Sequence, residues 1–248
     1  MIALRDIASS VAPILKGQSF GCDETYGQAL VDLKQARPDD GVPDAWGGIQ
    51  WPGATVVILA SGPSLTVEQC EAVSDWREGG EARRAIAVNT TFRRAPWADV
   101  LYACDAPWWR LHHAEVQQVF NGALWTQDKE ATREFGVNCV ESMNLPGLGK
   151  RTGVIHQGAN GGYQAVNLAF QAGAKKIILL GFDMQGNHWH GPYTNGLPNT
   201  APNLFSSWIK NFERLAADLA QAGVDVVNCS PGSALKSFPV ASLEQALT

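Results

Sequence analysis

The sequence predicts an α/β fold: an open, mostly parallel sheet with helices on both faces, preceded by an N-terminal extension. Three observations lead there. From residue 54 onward, short apolar runs alternate with amphipathic stretches. The apolar runs are continuous rather than alternating, as expected for strands buried on both faces. The joins between run and helix are dense in Gly, Pro, Ser and Asn, the residues of tight turns and helix starts.

The first strand and its turn, TVVILASGPSL from Thr55 to Leu65, set the pattern. The β-branched run over 55–60 stops at Ser61-Gly62-Pro63-Ser64. Gly62 permits a tight turn, Pro63 suits a turn or first helical turn, and Ser64 reads as the N-cap of a helix over 65–76. A strand, a small-residue turn and a helix N-terminus make an anion site, because free N–H groups and the helix dipole converge. The same residues also suit a plain strand-to-helix turn. The segment is neither a GxGxxG nor a P-loop.

Further strands are expected over 85–88, 100–104, 122–125, 137–140, 176–180 and 224–228, and further helices over 107–120, 162–172 and 203–222. The last helix has the clearest period, with Phe205, Trp208, Ile209, Phe212, Leu215, Ala216 and Leu219 on one stripe and Gly223 as its stop. Residues 1–53 differ. Amphipathic helices are expected over 2–15 and 26–36, followed by a turn-rich loop, and the extension is a candidate docking arm or homo-oligomer contact. The domain itself runs over 54–248.

The chain's 248 residues are enough for a sizeable core, and its formal net charge of −5 argues against broad nucleic-acid binding. Nine Trp is a high count; most are expected in packing, with some able to stack on a sugar or base. The five cysteines are widely spaced without a CxxC, and Cys104 and Cys139 read as small core residues. The reading is a cytoplasmic protein, with no signal peptide and no membrane span.

In an open parallel sheet, ligands sit beyond the carboxyl ends of the strands. Six strand ends carry small or hydrogen-bonding residues: Ser61, Gly62 and Ser64; Asn89; Asp105; Asn160, Gly161 and Gly162; Gly181 and Asp183; Ser230. Each alone is ordinary turn chemistry; together they predict one shared pocket. The second glycine turn, GANGG, offers clustered N–H groups to a phosphate or carboxylate. Asn89 offers an amide to a base or ribose, or serves a turn. Asp105 is a second acid, a Mg²⁺ ligand or an N-cap before Pro107. DMQGNHWH, from Asp183 to His190, is the most chemical stretch. It reads first as general acid/base chemistry by His188 or His190 beside Asp183, second as a divalent-metal site, third as a polar loop. No metal site is assigned, since no third histidine or ligand spacing supports one. His112 and His113 read as partly exposed helix residues.

Three segments carry a family resemblance: ILASGPSL, AVNTTFRRAPWADVLYACD and NGGYQAVNLAFQAGAKKIILLGFDM, with the tail DVVNCSPGSALKSFPV. From about Thr55 to Leu247 the chain resembles a group of Rossmann-like proteins. The group contains the 6-hydroxymethylpterin pyrophosphokinase-like family (the DUF115 group), the motility-accessory flagellin glycosyltransferases and the bacterial CMP-sialic-acid transferases. The resemblance implies a nucleotide site formed by Gly62, Pro63 and Ser64, by Asn89, and by Asn160, Gly161 and Gly162. It places Asp105 at the acidic position of the pyrophosphokinase-like branch, and Gly181 and Asp183 at the Gly-x-Asp strand end. The chain departs from the transferases at Ser61, where they often carry Asn. It also has no histidine in 201–207, where theirs lies. His188 or His190 is the substitute, and NHWHG is nearer the motility-accessory branch.

The leading expectation is a glycosyltransferase using a nucleotide sugar, a CMP-linked sialic-acid-like donor, with a glycan or protein acceptor and no required cofactor. The alternative is a pyrophosphokinase using ATP and Mg²⁺, with Asp105 and Asp183 on the metal and Arg93, Arg94, Lys150 or Arg151 near the phosphates. A non-catalytic nucleotide- or glycan-binding module is the third.

Overall fold

The computed structural model describes residues 47–248 and, of the segment before them, the backbone of 2–3 and 36–37. Strands β1 (Ile2–Ala3) and β2 (Ala36–Arg37) pair antiparallel. The expected N-terminal helices thus have a strand at one end each; their remaining residues lie outside the described ones.

The domain alternates as the sequence predicts. In chain order come β3 (Thr55–Leu59), α1 (Val67–Glu78), β4 (Arg83–Val88), β5 (Val100–Tyr102), α2 (Ala106–Val119), β6 (Ala123–Thr126), α3 (Lys129–Phe135) and β7 (Asn138–Cys139). There follow β8 (Glu141–Met143), β9 (Val154–His156), α4 (Gly161–Gln171), β10 (Lys176–Leu180), α5 (Leu204–Gln221), β11 (Asp225–Asn228) and α6 (Leu243–Ala246). Seven strands form one parallel sheet in the order β11-β10-β3-β4-β5-β6-β7, while β8 and β9 form a separate parallel pair. The fold is an open α/β sheet of Rossmann-like type.

The continuous apolar runs supply both faces. Because side chains alternate along a strand, Val56, Ile58, Ile177 and Leu179 enter the core under α4 and α5, with Leu168, Phe212 and Leu215. Val57, Leu59, Ile178 and Leu180 enter the core under α1 and α2, with Val73, Trp109 and Val116. Helix α4 is buried nearly all round, so it shows no single apolar stripe, and its polar Gln164, Asn167 and Gln171 are hydrogen-bonded inside the protein. Helix α5 shows the predicted stripe, with Phe212, Leu215 and Leu219 buried, and stops before Gly223 at φ +68°. Among the described residues no helix is long and apolar enough to cross a membrane.

The structure corrects several local expectations. The N-cap of α1 is Thr66, in a capping box with Gln69, because the Ser64 hydroxyl is taken by Asp183. Helix α3 was not anticipated; at seven residues it is too short for periodicity to show. Cys139 is exposed, since β7 is the sheet's edge. His112 is buried, its ring 4.8 Å from that of Trp108, and Trp108 and Trp109 are core residues rather than stacking platforms.

Candidate functional site

The strand order fixes where a ligand would sit. From β3 the chain moves outward through β4 to β7, then returns by α4 to lay β10 and β11 on the other side. The order reverses between β3 and β10, and a cleft opens at that switch point. Its walls are Ser61 and Gly62 after β3, Asn89 after β4, Asn160 to Gly162 at the start of α4, and the segment from Gly181 to His188 after β10. Ala60, Val88 and Phe182 form apolar parts of the wall, and Phe205 and Trp208 of α5 close one side.

The first glycine turn is built for contact with β10. The Gly62 amide donates to the Gly181 carbonyl at 2.9 Å, and a Cβ on Gly62 would collide with that carbonyl and with the Asp183 carboxylate. The Ser64 amide and hydroxyl donate to Asp183 at 3.3 and 2.9 Å. The Leu65 amide donates to the Gly62 carbonyl, and the Thr66 amide to Gln69. Pro63 has no N–H. The amides from Gly62 to Thr66 are therefore spent inside the protein, with the Asp183 carboxylate already in the anion position. Ser61 lines the cleft, with its hydroxyl 3.1 Å from that of Thr91.

The second turn keeps its donors. Asn160 caps α4, accepting from the Tyr163 amide at 3.1 Å. The amides of Gly161 and Gly162 have no acceptor among the described residues, and both glycines line the cleft. The approach is close at Gly161, where a Cβ would lie 3.2 Å from Cys104 Sγ and 3.7 Å from Asn89 Nδ2. Asn89 sits opposite at φ +51°, a left-handed conformation that asparagine tolerates best among side-chain-bearing residues. Its half-buried amide makes no hydrogen bond among the described residues.

The loop after β10 forms the remaining wall. Asp183 is buried, and burial raises its carboxyl above the usual range, while the two Ser64 donors pull the other way. His188 faces the cleft. Its ring stacks on that of His190 at 4.9 Å and 21°, and Tyr193 lies 5.4 and 5.0 Å from the two rings. Burial lowers the pKa of His188, partly offset by the Ser61 carbonyl. His190 is lowered to about 4 by burial first, then by His188 and Arg93. His188 is thus neutral at pH 7 and able to accept a proton. His190 stands behind it, outside the cleft lining, with Nε2 buried and unbonded.

Other expected residues lie elsewhere. Asp105 precedes α2 without capping it; the Ala106 amide donates to Asp128 instead, at 2.9 Å. Partial desolvation, then Asp128, raises the Asp105 carboxyl, but the residue is outside the lining. Ser230 supports the wall from behind, accepting from the Phe182 amide at 2.8 Å. Arg93 pairs with Glu115 and Arg151 with Glu141; Arg94 bonds the Leu65 carbonyl; Lys150 reaches Gln221. Among the described residues no Lys or Arg lines the cleft. Among the described residues no group of three or more His, Cys, Asp and Glu could hold a metal ion.

Sequence reasoning missed Asn187, Asn199 and Thr200 as lining residues, and Phe205 and Trp208 as cleft walls rather than core stripe alone. The signal available was position: 184–203 is too long for a plain connection, and such loops are commonly functional. Comparison with known protein families, curated proteins and solved structures found no match. The resemblance described above therefore rests on the sequence motifs alone.

Proposed function

We propose that this chain is a glycosyltransferase whose donor is a nucleotide-activated sugar with one phosphate, a CMP-linked sialic-acid-like sugar, bound in the switch-point cleft. The observation that carries this is the start of α4: two backbone amides without an acceptor among the described residues, in a cleft whose described lining offers amides, hydroxyls and aromatic rings but no cationic side chain. Two amides at a helix N-terminus suit one phosphate. A chain of two or three phosphates calls for cations beside it, and the basic residues closest in sequence to the turns are committed elsewhere. The reading favours the transferase over the ATP- and Mg²⁺-dependent pyrophosphokinase.

In this reading the Gly161 and Gly162 amides take the donor phosphate and Asn89 contacts the ribose or base. His188, neutral at pH 7, accepts the proton of the acceptor hydroxyl. That oxygen attacks the anomeric carbon, the bond from that carbon to the phosphate oxygen breaks, and CMP departs with the electron pair. The amides stabilise the charge that develops on CMP. Asp183 fixes the Ser64 turn rather than moving a proton. The acceptor is a glycan or protein, the setting cytoplasmic, and the N-terminal extension a contact between copies.

The test is release of CMP from a CMP-sialic acid in the presence of EDTA. Turnover is expected, and His188→Ala should lower it about 10²- to 10⁴-fold, the usual range for a lost general base. Unchanged turnover in that variant, or no turnover with a panel of CMP-sugars, overturns the reading.

A further inference from the structure

The loop after β10 is fastened at points that converge on one ring. The Trp189 amide donates to the Ser61 carbonyl at 2.9 Å, its indole donates to Thr91 Oγ1 at 3.3 Å, and Arg94 lies 3.9 Å over the indole centroid. The Tyr193 hydroxyl is 3.2 Å from Thr90 Oγ1, which also accepts from Trp108 Nε1 at 3.3 Å. Between these two anchors His190 stands edge-on to Trp189, at 5.2 Å and 87°, and is also packed against Tyr193. The ring also stacks on that of His188, which lines the cleft.

We propose that His190 is a positioning residue for His188: pinned by Trp189 and Tyr193, its ring fixes the plane in which the His188 imidazole meets the cleft. This rests on the reading of His188 as the base, and goes beyond it by assigning the second histidine a separate role. An imidazole free to rotate about its side-chain torsions offers its nitrogen in many directions. One stacked on a fixed plane offers it in one, and orientation is a large part of catalytic advantage. The stack also keeps water from one face of His188, consistent with burial as the leading cause of its lowered pKa. The charged and titratable groups around the pair are Arg93, held by Glu115, with His112 beside that carboxylate; Arg94 on Trp189; Tyr193; and Asp183 earlier in the same cleft wall.

The experiment is a histidine NMR titration of the full chain, which needs no turnover. Wild type, His190→Phe and His190→Ala are compared, with hydrogen exchange over 184–200 reporting whether the loop stays docked. Phe keeps a flat ring in the stack and Ala removes it. The expected result is that His190→Ala moves the His188 midpoint up towards 6.5, the ordinary histidine value, and broadens its ring signals. His190→Phe should hold both near wild type. If His188 titrates alike in Ala and wild type with the loop docked, the proposal is overturned. It is equally overturned if Phe behaves as Ala does. If His190→Phe preserves the His188 signals while His188→Ala leaves CMP release unchanged, the positioning stands and the assignment of the base falls.

Discussion

Gly62 shows how tightly one residue can be specified. Its α-carbon sits where β3 and β10 part, against the Gly181 carbonyl and the Asp183 carboxylate. Gly62→Ala must push strand ends apart, and should cost about 1–3 kcal/mol, the usual range for overpacking a fixed site, read by urea unfolding. The histidine pair gives a prediction in pH. His190 has a folded pKa of about 4 against an ordinary 6.5. Below 6.5 the unfolded chain binds more protons than the folded one, so stability falls as pH drops from about 6.5 towards 4. Melting temperature should therefore drop over that window, and drop less in His190→Phe. The turn at Gly62 was legible because its glycine is local. The pairing of Ser64 with Asp183 was not, because the partners are 119 residues apart and only the sheet joins them. That pairing is why Ser64, a good N-cap by type, caps nothing.

At the scale of elements, α1 begins with the Thr66 and Gln69 capping box. Thr66→Ala should destabilise by about 1 kcal/mol, a typical N-cap loss, without touching the cleft. Ser64→Ala should instead act on the cleft wall, since it removes the hydroxyl donor of the buried Asp183 carboxylate. Measuring CMP affinity in both variants separates the two: the Thr66 variant should bind as wild type does, and the Ser64 variant more weakly. The strands were legible because buried parallel strands are continuous apolar runs, and β10 matches its expected bounds, 176–180. Helix α5 was legible because its face is striped. Helix α3 and the β8–β9 pair were not. Seven residues hold too few turns to show a period, and three-residue strands give no alternation to read.

For the whole molecule, the rule that ligands lie beyond strand ends pointed to the edge of the sheet where the cleft opens, but topology decides which ends share that cleft. Six ends carry suitable residues, yet Asp105 and Ser230 stand outside the lining. β5 lies two strands from the switch point, and the loop after β11 is engaged in holding Phe182. Neither fact is visible without the strand order. Gly161 and Gly162, whose amides lack an acceptor among the described residues, Asn89 and His188 all line the cleft beyond β3, β4 and β10, and the proposal is that a CMP-sugar binds there. The most direct measurement is a thermal shift with CMP, CDP, UDP, GDP, AMP and ATP, each with and without Mg²⁺. CMP without metal should raise the melting temperature. A hundredfold excess over Kd stabilises by about 2.7 kcal/mol, which for a chain of this size amounts to roughly 5–10 °C. A rise with ATP and Mg²⁺ and none with CMP would overturn the CMP-sugar reading in favour of the pyrophosphokinase.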